Sequence, residues 1–274
     1  MNVKKIRAVY WSPTGTTEKI VSGLSERLAE SLGRPRTAEP FTLPRQRENT
    51  LTFSPDELAV FGVPVYAGRV PNILLPFLRE NLRGGGALAV PVAVYGNRDF
   101  DDGLIELRNL LEDAGFHTVA GGAFIGEHSF SRTLGAGRPD EQDMDVVSRF
   151  ADRIAEKIKS LDKAPETPVF VKGETPVRPY YVPRDTAGNR VDFRRIKPKT
   201  SEACTDCGLC VRVCPMGSID PGNPRELAGI CIKCGACVKL CPAGAKYFDD
   251  PAYLYHKIEL EEAYARRAEP SQFL

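Results

Sequence analysis

The decisive stretch of this chain reads Cys204-Thr205-Asp206-Cys207-Gly208-Leu209-Cys210-Val211-Arg212-Val213-Cys214-Pro215, and a second copy follows it closely. That copy reads Cys231-Ile232-Lys233-Cys234-Gly235-Ala236-Cys237-Val238-Lys239-Leu240-Cys241-Pro242. Each copy has the spacing C-x2-C-x2-C-x3-C-P. Together the copies hold all 8 cysteines of the 274 residues, so no cysteine elsewhere suggests a disulfide framework.

The spacing is typical of cysteine runs that bind 4Fe-4S clusters, in which the fourth thiolate of each run binds the other cluster. Three cysteines two residues apart wrap a turn of backbone around one side of the cube, and the fourth ligand comes from elsewhere. We therefore predict two crossed ligand sets. The first is Cys204, Cys207, Cys210 and Cys241, and the second is Cys231, Cys234, Cys237 and Cys214.

Zinc is the main alternative for these cysteines, because Cys-x2-Cys pairs bind it tetrahedrally. Zinc sites usually use separated pairs, and neither the third cysteine nor the repeated Cys-Pro has a role in them. Thiols at this density favour a reducing compartment. Residues 200–250 are too few to bury a large apolar core, so we expect the clusters to replace it and the loss of iron to unfold this segment.

Charge and hydropathy exclude several other classes of protein. The 37 basic and 36 acidic residues give a net charge of +1, which does not favour nucleic acid or a membrane surface as a partner. No apolar run reaches the ~18 residues of a spanning helix. Met1 to Arg7 is not followed by an apolar signal segment. We expect a cytoplasmic protein.

The first 160 residues alternate short apolar runs with helical periodicity, which indicates a parallel sheet covered by helices. Five strands with helices between them fit a doubly wound α/β sheet of order 2-1-3-4-5, with its ligand beyond the carboxyl ends of the strands. The predicted strands are Ile6 to Trp11, Arg36 to Thr42, Leu58 to Val63, Pro91 to Tyr95 and Val119 to Ile125. The predicted helices are Thr17 to Leu32, Ile73 to Leu82, Leu104 to Ala114 and a last one capped by Asp140 and ending near Leu161.

The loop after the first strand is a candidate phosphate site. It offers hydroxyls, a glycine and free amides directly before a helix, at Ser12, Thr14, Gly15, Thr16 and Thr17. Such a helix N-terminus attracts a phosphate dianion. The loop is neither a Walker A motif nor G-x-G-x-x-G, and its lack of lysine suits a phosphate held by neutral donors. An ordinary Ser/Thr capping turn is the equally weighted alternative.

The loops after the third and fourth strands are candidates for holding a flat ring. They comprise Pro64, Val65, Tyr66, Ala67 and Gly68, and Tyr95, Gly96, Asn97, Arg98, Asp99 and Phe100. Tyr66 and Phe100 are stacking candidates, and Asn97 is a candidate for a hydrogen bond to the ring edge. Arg69 and Arg98 are either solvated charges or partners of an anionic ring. Asp101 or Asp102 is expected to cap a helix.

The sequence resembles the flavodoxin–ferredoxin fusion proteins of anaerobic bacteria and archaea. The resemblance is carried by Trp11 to Thr17, Tyr66 to Pro71, Tyr95 to Asp102, Gly126 to Phe130, Gly137 to Asp140 and both cysteine motifs. It implies a flavodoxin-like domain that binds FMN, with the phosphate on the Ser12–Thr17 loop and the isoalloxazine ring between the loops around Tyr66 and Asn97. It also implies a small α+β ferredoxin domain with two 4Fe-4S clusters. His128, after the fifth strand, is a buried or capping residue or else a proton donor near the flavin.

The predicted organisation has four parts. Residues 1–161 form the FMN domain, 162–199 a proline-rich basic linker, 200–250 the cluster domain, and 251–274 a C-terminal helix and tail. Six prolines argue that the linker is extended. We expect it to be a solvated strap on one or both domains, or else a docking patch for an acidic redox partner.

The two cofactors together indicate electron transfer between FMN, the clusters and redox partners such as a ferredoxin-type donor or acceptor or a reductase. The alternative is an FMN-dependent reductase whose own clusters feed electrons to a small substrate. A redox or iron sensor is the third possibility, and the near-zero charge argues against the DNA binding that it would need. The sequence names neither the partner, the direction of flow nor the oligomeric state.

Overall fold

A computed structural model describes residues 2–274 of the chain. Its amino-terminal part alternates strands and helices, and its carboxyl-terminal part contains mostly short elements. The first part comprises β1 (Lys5–Tyr10), α1 (Thr16–Leu32), β2 (Arg36–Pro40), β3 (Leu51–Thr52), β4 (Glu57–Pro64), α2 (Leu75–Glu80), β5 (Leu82–Arg83), β6 (Leu88–Tyr95), α3 (Gly103–Asp113), β7 (His117–Thr118), β8 (Gly121–Ile125) and α4 (Glu141–Ser160). The second comprises β9 (Lys199–Thr200), α5 (Leu209–Val213), α6 (Ala236–Lys239), β10 (Lys246–Tyr247), α7 (Pro251–Ala263) and β11 (Ser271–Phe273).

The main sheet has the predicted flavodoxin-like order. Its strands run β2-β1-β4-β6-β8 and pair in parallel, which confirms the doubly wound fold and the order 2-1-3-4-5. One correction concerns the tail, because β11 pairs antiparallel with β8 and adds a sixth strand at that edge. The tail therefore covers backbone groups of β8 that would otherwise be unpaired at the edge of the sheet.

The fourth strand of the predicted series begins earlier than expected. The sequence predicts Pro91 as its first residue, whereas β6 starts at Leu88 and carries Pro91 in its interior. On one side β6 pairs with β7 through Leu88 and Ala89, and pairing with β8 resumes only at Val92. Pro91 stands at this interruption of the ladder, where its missing N–H costs little.

Helices cover both faces of the sheet as the hydrophobic periodicity predicts. α1 and α4 pack together on one face, and the Asp140 carboxylate accepts from Asp143 N to cap α4 as expected. The other face buries an aromatic group that includes Trp11, Phe61 and Phe116. Cys234 also belongs to this second buried group. The cysteine segment thus continues the core of the amino-terminal fold.

The proline-rich segment lies along the amino-terminal fold. Val169 and Val171 are buried against the side of the sheet that carries α3, and Tyr181 N donates to Ala67 O at 3.0 Å. The segment has no helix or strand beyond a 3-10 turn at Phe193–Arg195 and one isolated bridge. We call residues 172–196 the strap. Because it is fixed at several points, its position relative to the sheet is defined.

The helix predicted within residues 251–274 is observed as α7, which begins at Pro251 and ends at Ala263. The Asp250 carboxylate accepts from the amides of Ala252 and Tyr253 and so caps its first turn. α7 packs on the loop after β8, where the Tyr253 and Phe130 rings lie 4.8 Å apart. Within residues 2–274, no helix combines the length and the apolar character that crossing a membrane requires.

Candidate cofactor sites

The eight cysteines surround two small hollows in the carboxyl-terminal part. The first hollow is lined by Cys204, Cys207, Cys210 and Cys241, and the second by Cys231, Cys234, Cys237 and Cys214. The structure thus brings together the members of each predicted crossed set, three from one motif and one from the other. Cys234 is buried and Cys207 is exposed, so the second hollow lies deeper than the first.

The two motifs keep the same backbone geometry. Gly208 and Gly235 precede α5 and α6 with φ of 68° and 77°, in the left-handed region that glycine adopts without strain. Four residues after the last cysteine of each motif, an amide points at its sulfur: Ser218 N lies 3.4 Å from Cys214 Sγ and Ala245 N lies 3.3 Å from Cys241 Sγ. Such amide contacts favour a thiolate, the form that binds iron.

The surroundings of the thiols differ between the hollows. Burial raises the pKa of the Cys237 thiol to about 12 and raises that of Cys234 further. At Cys241 burial acts in the same direction, but the amides of Ala245 and its neighbours outweigh it and lower the pKa. Metal binding at the second hollow must therefore displace protons that free thiols hold at neutral pH.

A separate pocket lies at the start of α1. Thr14, Thr16 and Thr17 line it, together with Gly126 and Glu127 from the loop after β8. Neither lysine nor arginine is among its lining residues in the described chain, which fits a phosphate held by hydroxyls and helix amides. Glu127 was not predicted as part of this pocket, although the resemblance had drawn attention to its loop.

Two predicted phosphate-loop residues shape this pocket without lining it. Gly15 is the residue before α1, with φ 87°, and gives the loop its turn into the helix. The Ser12 hydroxyl is buried and accepts from Glu18 N at 3.0 Å, and Ser12 N donates to the Thr42 hydroxyl. Ser12 therefore fixes the loop from behind.

A chamber of about 1000 Å³ adjoins the phosphate pocket, and the two share the lining residues Val65, Tyr66, Tyr95, Gly96, His128 and Ser129. Its floor is formed by the two loops predicted to hold a ring, through Val65, Tyr66, Ala67, Gly68, Tyr95, Gly96, Arg98 and Asp99. Pro64 lines the phosphate pocket only.

Tyr66 stands at the junction of these spaces. Its ring meets Trp11 edge-on at 5.8 Å, and the half-buried side chain lies near Cys234 and Cys231. Burial first, and then repulsion from Cys234 and Cys231 when these are in the thiolate form, raises the pKa of Tyr66 well above its ordinary value. The phenol is therefore a neutral donor and not a source of negative charge.

Two residues predicted to contact the ring have other partners in the structure. The Asn97 side chain is 3% exposed and lines neither space. Its amide donates to Tyr264 O and Arg266 O at 2.7 Å, and its oxygen accepts from Ala268 N. Phe100 is likewise buried, against Tyr95. The loop sequence shows which residues are polar or aromatic, but their direction depends on the tail that packs behind them.

The arginines and aspartates of these loops also have structural partners. Arg69 forms an ion pair with Glu106, with 2.6 Å between Nη2 and Oε1, and its guanidinium covers the Tyr180 ring. This pairing corrects both predictions for Arg69, because it is neither a solvated charge nor free to pair with a ring. Arg98 pairs with Asp101 and still lines the chamber.

Asp102 occupies the position before α3 but makes no side-chain cap. Its carboxylate accepts from the strap instead, from Glu174 N at 3.0 Å, Arg178 N at 2.7 Å and the Arg178 side chain at 2.9 and 2.6 Å. The sequence indicated an acidic cap here, but its partner is a strap residue 76 positions away.

His128 is a half-buried, neutral residue. Its Nδ1 accepts from Phe130 N at 3.1 Å, which leaves the proton on Nε2. Burial first, and then the charge of Lys239, lowers the pKa of His128 to about 4. At neutral pH the ring therefore fits a hydrogen-bond donor at the chamber wall better than a charged proton donor.

Comparison with known proteins identifies the cysteine segment. Residues 203–246 match the family described as "4Fe-4S dicluster domain". This chain carries a 4Fe-4S dicluster domain. The predicted fusion of such a domain to a flavodoxin-like fold is confirmed, because the sheet order establishes the second part. The zinc alternative is not supported by this match.

Solved structures similar to the chain include flavodoxins. An archaeal flavodoxin is 16% identical, with 57% of this chain and 99% of that one covered and a TM-score of 0.42. Oxidised flavodoxin 2 from Bacillus cereus is 17% identical, with 57% and 99% covered and a TM-score of 0.42. Megasphaera elsdenii flavodoxin is 16% identical, with 55% and 98% covered and a TM-score of 0.37. No curated protein sequence matches the chain.

The dicluster domain docks on the loop after β8. Lys239 of α6 pairs with Glu127 and also donates to Ser131 O at 2.7 Å. A Cβ on Gly235 would lie only 2.5 Å from Ser129 O, so only glycine permits this approach. Cys234 lines both the second hollow and the phosphate pocket. The predicted metal and phosphate sites are therefore direct neighbours.

Proposed function

We propose that this chain is an electron-transfer protein that holds FMN in the phosphate pocket and chamber, and 4Fe-4S clusters in the two hollows. FMN when bound exchanges electrons in pairs or singly, whereas each cluster exchanges one. The pocket supports FMN because it offers hydroxyls and helix amides to a phosphate and adjoins a space between the two ring loops. Four thiols around each hollow are the donor set that a cubane cluster takes.

The observation that supports this proposal most directly is the position of Cys234. This buried residue lines the second hollow and also the pocket beside Tyr66. A cluster ligand that touches the flavin pocket leaves no room for a solvent layer between the two centres. The dicluster domain therefore connects to the flavin site within one chain, without a second subunit.

The outer end of this arrangement is the first hollow, where Cys207 is exposed. We propose that a ferredoxin-type donor or acceptor exchanges electrons there, with the second hollow between it and the flavin site. The thiols favour a reducing compartment such as the cytoplasm.

Anaerobic purification followed by rapid mixing tests this function. The protein should contain FMN and about eight irons per chain. Mixing with reduced ferredoxin should bleach the cluster and flavin absorbance without an added small substrate. Protein that holds zinc, lacks FMN, or leaves its flavin oxidised under these conditions would contradict the proposal.

A second candidate is an FMN-dependent reductase, and the chamber is the observation that favours it. Its floor loops are covered by strap residues Tyr180 to Pro183 and Arg190 to Arg194 and by the α7 residues His256, Glu259, Leu260 and Ala263. A carrier needs only an exposed ring edge, whereas a covered space beside the ring suits a small substrate. Turnover with small acceptors, absent for a pure carrier, separates the two.

A further inference from the structure

The chamber is larger than the proposed flavin ring requires. Ligand pockets measure about 300–1000 Å³, and this chamber of about 1000 Å³ stands at the upper limit. The phosphate has its own pocket at Thr14, Thr16 and Thr17, so only the ring system and part of the ribityl chain would enter the chamber. Space therefore remains between the floor loops and the strap.

Aromatic side chains wall this remaining space. Tyr181 stacks on His256 with 5.7 Å between ring centroids, and Phe193 meets the same imidazole edge-on at 5.6 Å. Phe130 lies 6.2 Å from Phe193, and all four residues line the chamber. Rings that already stack on one another offer flat faces and edges to a planar conjugated molecule.

Lys233 provides a buried cation at the same chamber. It is 7% exposed, and its Nζ donates to Cys231 O at 2.8 Å. An ammonium has three donors. No carboxylate lies within ion-pair distance of Lys233 in residues 2–274. Cys231 O uses one of these donors, so a carboxylate in the chamber can accept from another.

Lys233 also lines the second hollow, so its charge faces both the cluster site and the chamber. Its position in the second motif, between Cys231 and Cys234, fixes it at the boundary of the two spaces. A ligand anion bound here would lie beside the deeper cluster and above the ring loops. This is where a molecule that exchanges electrons with the flavin would have to sit.

We propose that the chamber binds a planar conjugated small molecule with a carboxylate, its ring packed among the strap and α7 aromatics and its anion on Lys233. The proposal rests on the proposed flavin site and names the class of substrate that the second candidate function would use. It identifies Lys233 as a specificity-determining residue.

The test uses protein already shown to hold FMN and iron, with 2-naphthoate as the probe and uncharged 2-naphthamide as its control. Calorimetry should show one naphthoate per chain, accompanied by a shift of the flavin absorbance. Naphthamide should bind about tenfold more weakly, the loss expected for one hydrogen bond to a charged group. K233M should remove this difference and K233R should restore it. R195M is the matched control on the exposed strap and should leave the difference intact.

A second variant changes a residue that lies outside the cysteine motifs. Val182 lines the chamber from the strap, and V182W should fill the space and abolish binding of both probes while FMN and iron contents stay unchanged. Failure of naphthoate to bind loaded wild-type protein at about 1 mM, unaltered binding in V182W, or equal naphthoate affinity in K233M and R195M would each overturn the proposal. So would release of FMN by naphthoate. Absence of FMN from the purified protein would instead contradict the proposed function itself.

Discussion

Asp102→Asn is expected to release the strap from the flavodoxin-like fold. The Asp102 side chain is 0% exposed and accepts two backbone and two side-chain hydrogen bonds from Glu174 and Arg178. Asparagine keeps the shape, but it removes the charge and replaces one acceptor oxygen with a donor that faces other donors. The strap would then keep its apolar contacts, the bonds of Tyr180 and Tyr181 to Val70 O and Ala67 O, and the contacts of Arg69 with Arg178 O and the Tyr180 ring.

The expected loss of free energy depends on how deeply the Asp102 and Arg178 side chains are buried. Breaking a fully buried charge pair costs about 3–5 kcal/mol. The Arg178 side chain is 45% exposed, and water screens its half of the pair, which reduces the expected loss to about 2 kcal/mol. Because the strap is held locally, this loss should appear as opening of the strap rather than as global unfolding. A change of this size raises the open population roughly thirtyfold.

Hydrogen exchange measured by mass spectrometry reports this opening directly. Peptides covering residues 172–182 should exchange roughly thirtyfold faster in Asp102→Asn, whereas peptides from α4 should not change. The matched control is Asp113→Asn, an exposed carboxylate at the other end of α3, which should behave as wild type. Strap exchange within about twofold of wild type in Asp102→Asn would refute the claim that this carboxylate holds the strap.

Three further predictions use other contacts. The Arg178 side chain lowers the pKa of Asp102 to about 2 from 3.8, so the contact with the strap is complete above pH 4 and is lost as the pH falls towards 2. Hydrogen exchange of the strap, corrected for its intrinsic pH dependence, should therefore rise in wild type as the pH falls towards 2. In Asp102→Asn the corrected exchange should not change with pH. Cys207→Ala should lower iron from about eight to about four per chain and retain FMN, and loss of the flavin as well would show that the sites are not separable. Gly235→Ala should lower the free energy of unfolding by about 1 kcal/mol because of the positive φ at this position, and by more because of the clash with Ser129 O. An unchanged melting temperature together with unchanged reduction of the flavin by the clusters would show that the dicluster domain does not dock on Ser129.

The parts of the fold that were predictable are those with a repeating pattern. Apolar positions such as Ile20, Val21 and Leu24 recur on one face of α1 and are fully buried. Alternation of strands and helices then gives the sheet order. The duplicated cysteine spacing gives the segment that matches the dicluster family. In each case the prediction rests on a pattern that is local in the sequence.

The parts that were missed depend on contacts between distant residues. β11 has only three residues and gains its conformation from β8, more than 140 positions earlier, so no local pattern marks it. Asn97 looked available for a ligand, but the tail occupies every polar atom of its side chain. Polar residues in a ligand-type loop therefore need the whole chain before a binding role can be assigned.

The same carboxyl-terminal half supplies the clusters and covers the chamber, which joins the two functions physically. In the sequence, the strap precedes the dicluster domain and α7 follows it. Both the strap and α7 contribute to the chamber above the ring loops. Because Lys239 and Gly235 fix the domain on the loop after β8, displacing it would open the chamber as well. On the proposed function, the flavin would exchange electrons with the outside through the clusters, while the covered chamber admits only molecules small enough to pass the strap. A protein partner would then dock at the exposed Cys207, and a small molecule would bind at Lys233. Electron exchange with the protein partner and reaction with the small molecule would therefore take place at opposite ends of the series of cofactors.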